Sequence, residues 1–169
     1  AFVFKLNPAR NELLYAVVMA GAGEDYGISV KPDASGNAYV LGRTQSSNFP
    51  VTRGSAQPAI GGGTDMFVAK IEDGAVLYAT FLGGSGDDWA GAIAVDDVGT
   101  AYIAGWTNSQ NFPTRNAAQT TYSGGAASST TQRFDAVSAR LSPSGDTFLY
   151  STYFGGRGED KAYGIAVDR

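Results

Sequence analysis

The sequence predicts an all-β protein built from tandem four-stranded antiparallel units, on three observations. A pattern of tyrosine, acidic turn and aspartate recurs three times at long, similar spacings. The segments between turns are short apolar runs rich in β-branched and aromatic residues, with no sustained 3.6-residue period. Glycine supplies 23 of 169 residues, while charged residues make up 17%, below the roughly 25% usual in soluble domains. Such a composition suits tight turns at positive φ and a surface of Ser, Thr, Asn and Gln.

The repeat can be followed element by element. Tyr15, Tyr78 and Tyr150 are spaced by 63 and 72 residues. Each precedes an acidic turn: Gly23-Glu24-Asp25, Gly86-Asp87-Asp88 and Gly158-Glu159-Asp160. Eight residues beyond each acidic pair stands Asp33, Asp96 or Asp168. Tight turns at Ala34-Ser35-Gly36 and Asp97-Val98-Gly99 then lead to Ala38-Tyr39-Val40-Leu41-Gly42 and Ala101-Tyr102-Ile103-Ala104-Gly105, as in β-hairpins. Both copies continue to Asn-Phe-Pro, at Asn48-Phe49-Pro50 and Asn111-Phe112-Pro113.

Most of the length variation falls in the next loop. It has 14 residues between Pro50 and Asp65, and 21 between Pro113 and Asp135. Length tolerance suits a solvent-facing loop, and the Ser/Gly/Thr/Ala-rich stretch 123–132 reads as its mobile part. Phe49 and Phe112 are expected to pin this loop onto the sheet. The runs Phe67-Val68-Ala69-Lys70-Ile71 and Leu77-Tyr78-Ala79-Thr80-Phe81-Leu82 close the unit, and Phe2-Val3-Phe4-Lys5-Leu6 is a further copy of the first of these.

Four short strands per unit, hairpin turns and a fixed repeat are the signature of β-propeller blades. A β-solenoid has shorter repeats, and immunoglobulin-like domains need seven strands and roughly 100 residues each. The register divides the chain into outer strands of a partial blade (1–26), a blade (27–90), a second blade (91–162) and one inner strand of a next blade (163–169). This is an incomplete ring: two full blades with partial blades at both ends. It reads as a segment of a longer propeller, completed by further repeats or by self-association. In the first copy Val30-Lys31-Pro32 weakens the strand before Asp33, because Pro cannot donate to a ladder.

The run from Leu77 through Gly83-Gly84-Ser85-Gly86-Asp87-Asp88, then Ala92-Ile93-Ala94-Val95-Asp96, Tyr102-Ile103-Ala104-Gly105 and Asn111-Phe112-Pro113, resembles the SBBP family of bacterial β-propeller repeats. The resemblance implies four-stranded blades, often in large secreted or cell-surface bacterial proteins. It implies no catalytic or binding residues general to the family.

Composition narrows the function classes. The net charge of -4, with no basic cluster, disfavours nucleic acid. No apolar run approaches a membrane span. The chain has neither Cys nor His, so thiol chemistry, Ser-His-Asp arrangements and His-ligated zinc are all absent.

Two groups of residues are site-like. Glu24, Asp25, Asp87, Asp88, Glu159 and Asp160 are calcium candidates, since clustered carboxylates in Gly-rich turns resemble oxygen-ligand sites. The competing reading, which we prefer, is that acidic side chains cap turns by accepting backbone N–H groups. Trp89, Trp106 and Tyr26 are ligand-contact candidates, because a ring beside carboxylates and amides can stack on a sugar. Their competing role is packing between blades. Neither group gives a catalytic constellation, so the expectation is a non-enzyme with no obligate cofactor. The expected function is a structural or interaction scaffold, extracellular or at the cell surface, meeting protein or glycan through the loops 45–64 and 108–134. The alternatives are a lectin-like propeller and a propeller hydrolase or lyase.

Overall fold

The computed structural model describes residues 1–124 and 133–168. Among them are ten strands and no helix. β1 (Phe2–Asn7) and β2 (Glu12–Val18) form a hairpin. β3 (Asp25–Pro32), β4 (Ala38–Thr44), β5 (Asp65–Glu72) and β6 (Ala75–Leu82) form one four-stranded sheet in chain order. β7 (Asp88–Val95), β8 (Ala101–Thr107), β9 (Asp135–Leu141) and β10 (Phe148–Phe154) form another of the same order. All neighbours are antiparallel. The sheets do not close a ring.

The repeat extends to backbone irregularities. The first two strands of each sheet shift register at one place, between Gly27 and Ser29 in one and between Ala90 and Ala92 in the other. These positions are 63 residues apart, the same offset as the tyrosines. The inner strands start a little earlier than the expected boundaries at 27 and 91, because Asp25 and Asp88 are themselves the first strand residues. Pro32 is accommodated as the last residue of β3, paired with Ala38 on an edge strand where no further partner asks for its N–H. Of the stretch 163–169, expected as an inner strand, the described residues 163–168 lie in no ladder. The strands of the same sequence type, β3 and β7, each pair with the strand that follows them in the chain.

Alternation along the strands divides the core in two. Tyr39, Leu41, Met66, Val68, Tyr78 and Leu82 point from the first sheet toward the second, where Ile93, Ile103, Val137 and Leu141 meet them. Val40, Phe67, Ala69, Ile71 and Phe81 point the other way, toward Val3, Tyr15 and Val17 of the hairpin. The middle strands of the first sheet, β4 and β5, are therefore covered on both faces and read as almost continuously apolar. β7 lies against β3, β4 and β5, so the inner strands of adjacent blades converge.

Recurring tyrosines and glycine turns make the joints between blades. The hairpin glycines Gly74 and Gly145 hold φ of 86° and 74°. A Cβ at Gly74 would lie 3.2 Å from Tyr15, and one at Gly145 would lie 2.3 Å from the ring of Tyr78. Each outer turn thus rests on the tyrosine of the preceding blade. Phe49 is buried with its ring centroid 4.4 Å from Phe67, and Phe112 is buried 5.8 Å from Tyr153, so both pin their loops as expected.

Candidate functional site

The acidic turns are built as hydrogen-bond knots. Asp88 Oδ1 accepts from Thr107 Oγ1; Oδ2 accepts from Gly84 N at 2.8 Å and Ser109 Oγ at 2.9 Å. Ser109 Oγ accepts from Gly86 N, and Asn111 Oδ1 accepts from Ser85 N. One repeat earlier the same knot joins Asp25 to Thr44, Ser46 and Gly21, with Asn48 accepting from Ala22 N. Asp160 Oδ2 accepts from Gly156 N in the matching place. The first acidic residues lie outside the knots: Glu24 accepts from Tyr26 Oη, and Glu159 pairs with Lys161 at 2.6 Å. Asp87 is tied through its backbone: its N–H donates to Asn108 Oδ1 and its carbonyl accepts from Asn108 N.

Asp33 and Asp96 cap the hairpin turns. Asp96 Oδ1 accepts from Val98 N and Thr100 N, and Asp33 Oδ1 from Ser35 N and Asn37 N. Burial pushes the Asp96 carboxyl up, but hydrogen bonds from Thr100, Tyr102 and Val98 outweigh it and hold it below the usual carboxylate range. Among the described residues no cluster of three or more acidic side chains is placed to hold a metal ion. The six calcium candidates are spread over three turns, and the second acid of each pair already accepts hydrogen bonds from its own turn.

A second set of aspartates lies deeper. Asp65 is fully buried and accepts from Gly61 N, Gly62 N and Gln57 Nε2. Gly83 passes between Asp65 and Asp88: a Cβ there would be 2.7 Å from an oxygen of each. Burial drives both carboxyls up, Asp65 to about 6 and Asp88 to about 7, the neighbouring Asp65 adding to the rise at Asp88. Burial raises Asp135, in the corresponding place of the second blade, in the same direction.

Sequence reasoning missed the partners of these acids. The signal is Thr-x-Ser-x-Asn, at Thr44-Ser46-Asn48 and Thr107-Ser109-Asn111, just ahead of Phe-Pro. It also missed Gln57 and Gln119, which anchor the variable loop. Gln57 N donates to Thr80 Oγ1 and its Oε1 accepts from Gly83 N; Gln119 does the same with Thr152 and Gly155. The loop 45–64 is therefore tied down along its length. Of the stretch expected to be mobile, 125–132 lies outside the described residues.

The aromatic candidates meet cations at the joints between blades. Arg43 of β4 is sandwiched between Tyr26 at 4.7 Å and Trp89 at 4.1 Å from the ring centroids. Trp106 occupies the position of Arg43 one repeat later, and Lys161 that of Trp89. Lys161 Nζ lies 5.8 Å from the Trp106 ring, which also packs 5.0 Å from Tyr163. Cation and aromatic have exchanged sides across equivalent joints. The structure thus brings Tyr26 and Trp89 together and leaves Trp106 in a separate contact. All three lie at joints between blades.

The fold matches what known families show. No curated protein matches the chain. Among the described residues no helix is long and apolar enough to cross a membrane. Residues 77–113, from the tyrosine strand β6 through the acidic knot to Asn-Phe-Pro, match the SBBP family, described as a β-propeller repeat. The matched residues lie within two four-stranded antiparallel sheets that repeat one another down to their bulges, the architecture of β-propeller repeats.

Proposed function

We propose that the chain is a non-catalytic scaffold module of a secreted or cell-surface bacterial repeat protein, whose sheets are continued by further strands. The observation that carries this reading is a difference between equivalent residues. Ile93 of β7 is 0% exposed beneath the preceding sheet, whereas Val30, its counterpart in β3, is 55% exposed. Ile28 beside it is 45% exposed, and Phe2 and Phe4 across the cleft are 70% and 52% exposed. These residues line a hollow of about 400 Å³ along the unpaired edge of β1. Contiguous apolar surface of this kind marks an interaction face, and a free edge can take up a strand by main-chain pairing.

The roles of the recurring acids support the non-enzymatic part: Asp25, Asp88 and Asp160 accept hydrogen bonds within their own turns, and Asp33 and Asp96 cap theirs. Light scattering over a concentration series, with the full chain and Val30→Asp, tests the reading. Self-association lost in Val30→Asp, or a monomer that gains affinity for an added strand pair, is the expected result. A strictly monomeric chain whose open face takes up neither would overturn it, as would turnover of a glycan substrate that depends on Asp65 or Asp88.

A further inference from the structure

The geometry points to a binding site for the carboxylate of an acidic saccharide, a hexuronate, at Arg43; this goes beyond the scaffold reading and gives the scaffold a ligand. Three features of Arg43 stand out together. Its guanidinium carbon lies 4.7 Å and 4.1 Å from the ring centroids of Tyr26 and Trp89, one ring from each sheet, which restricts its movement. Among the described residues it makes neither an ion pair nor a side-chain hydrogen bond; the one ion pair there is Lys161–Glu159. That contrast is internal to the protein. At the equivalent joint the cation Lys161 pairs with a carboxylate, whereas among the described residues none lies within ion-pair distance of Arg43.

A half-buried arginine that lies between two rings and whose N–H fork is unused is preorganised for a planar, bidentate acceptor. The fork opens on a hollow of about 60 Å³ lined by Glu24, Tyr26, Arg43, Gln45, Thr64 and Trp89. Trp89 Nε1, a buried donor, has no partner. That space takes a carboxylate group and little more, so the rest of the ligand lies at the mouth. There Glu24 and Gln45 are exposed, with Glu24 already accepting from Tyr26 Oη and Gln45 Nε2 donating to Thr64 Oγ1.

Glu24 decides between anions. A carboxylate beside the arginine repels a sulfate dianion, which has no proton to offer it in return. It equally disfavours a peptide with several carboxylates. A ligand with one carboxylate and neighbouring hydroxyls meets both groups: the carboxylate accepts from Arg43, and a hydroxyl donates to Glu24. Tyr26, 43% exposed, offers the apolar ring surface that sugar C–H faces pack on.

The test uses the full chain carrying Trp106→Phe, which leaves Trp89 as the single tryptophan reporter. Titration with sodium glucuronate and with trigalacturonate is expected to give a saturable change in Trp89 emission. Galactose and inorganic sulfate are expected to give none. Arg43→Gln should abolish the response and Arg43→Lys weaken it at least tenfold, both with the melting temperature of the parent. Should Arg43→Gln fail to fold, Glu24→Gln serves: it is expected to weaken glucuronate and to admit sulfate. The proposal is overturned by no response to either uronate, by an undiminished response in folded Arg43→Gln, by unchanged selectivity in Glu24→Gln, or by sulfate or a glutamate-rich peptide binding as tightly. None of these outcomes touches the open face of β3 on which the scaffold reading rests.

Discussion

Replacing Asp88 by alanine separates the two opposing contributions of a buried acid. The carboxylate accepts from Thr107 Oγ1, Ser109 Oγ and Gly84 N inside a fully buried knot. Truncation leaves three buried donors without a partner, at about 1–3 kcal/mol each, or about 6 in total at mid-range. Against this stands the charge. Burial lifts the Asp88 carboxyl from 3.8 to about 7, and each pH unit of that rise is worth about 1.4 kcal/mol. At pH 8 the folded wild type bears the full penalty of about 4 kcal/mol, which the variant escapes, so the net loss is about 2 kcal/mol. At pH 5 the folded wild type is protonated while the unfolded chain is ionised. The folded state then holds the extra proton, and stability falls as pH rises through the folded value near 7. Asp88→Ala should therefore cost about 3 kcal/mol more at pH 5 than at pH 8. Urea unfolding followed by circular dichroism at the two pH values measures this directly. An equal loss at both, or a larger loss at pH 8, would show that Asp88 is not held as a buried, proton-retaining acid.

Two further outcomes follow from contacts that leave no room to relax. Gly105→Ala places a Cβ 2.2 Å from the carbonyl oxygen of Trp89 and 3.0 Å from Met66 Sδ; since the closer obstacle is backbone, a loss of about 2–3 kcal/mol is expected in thermal melting, and a change below about 0.5 kcal/mol would refute the close approach. Tyr153 Oη accepts from Phe112 N and donates to Ser109 O, both at 2.8 Å, so Tyr153→Phe should cost about 1–3 kcal/mol and raise hydrogen exchange at Phe112; unchanged exchange at that amide would contradict the assignment.

How much of this the sequence disclosed depends on how far apart the partners lie. Hairpin turns were legible because Asp33 and Asp96 cap residues only two to four positions away. Loop anchoring by Phe49 and Phe112 was legible because Asn-Phe-Pro recurs intact. The hydroxyl partners of Asp25 and Asp88 lie 19 and 21 residues downstream, and small polar residues near a turn look like any other surface. Gln57 and Gln119 were hidden by the unequal loop lengths around them. The arginine clamp was invisible for a different reason. Its three residues come from two sheets, and the repeat carries Trp106 where Arg43 stands, so alignment of the copies disguises the pairing.

The rest of Gly74 on Tyr15 and Gly145 on Tyr78 has a consequence for how such chains lengthen. Each unit brings both halves of a joint, a glycine turn on one side and a tyrosine strand on the other. A unit copied in tandem arrives with matching fittings and needs no compensating change in its neighbours. The inverted cation–aromatic pairs do not share this property. Arg43 faces Trp89 and Trp106 faces Lys161, so exchanging two units would set like against like. One contact makes the blades interchangeable, and the other numbers them.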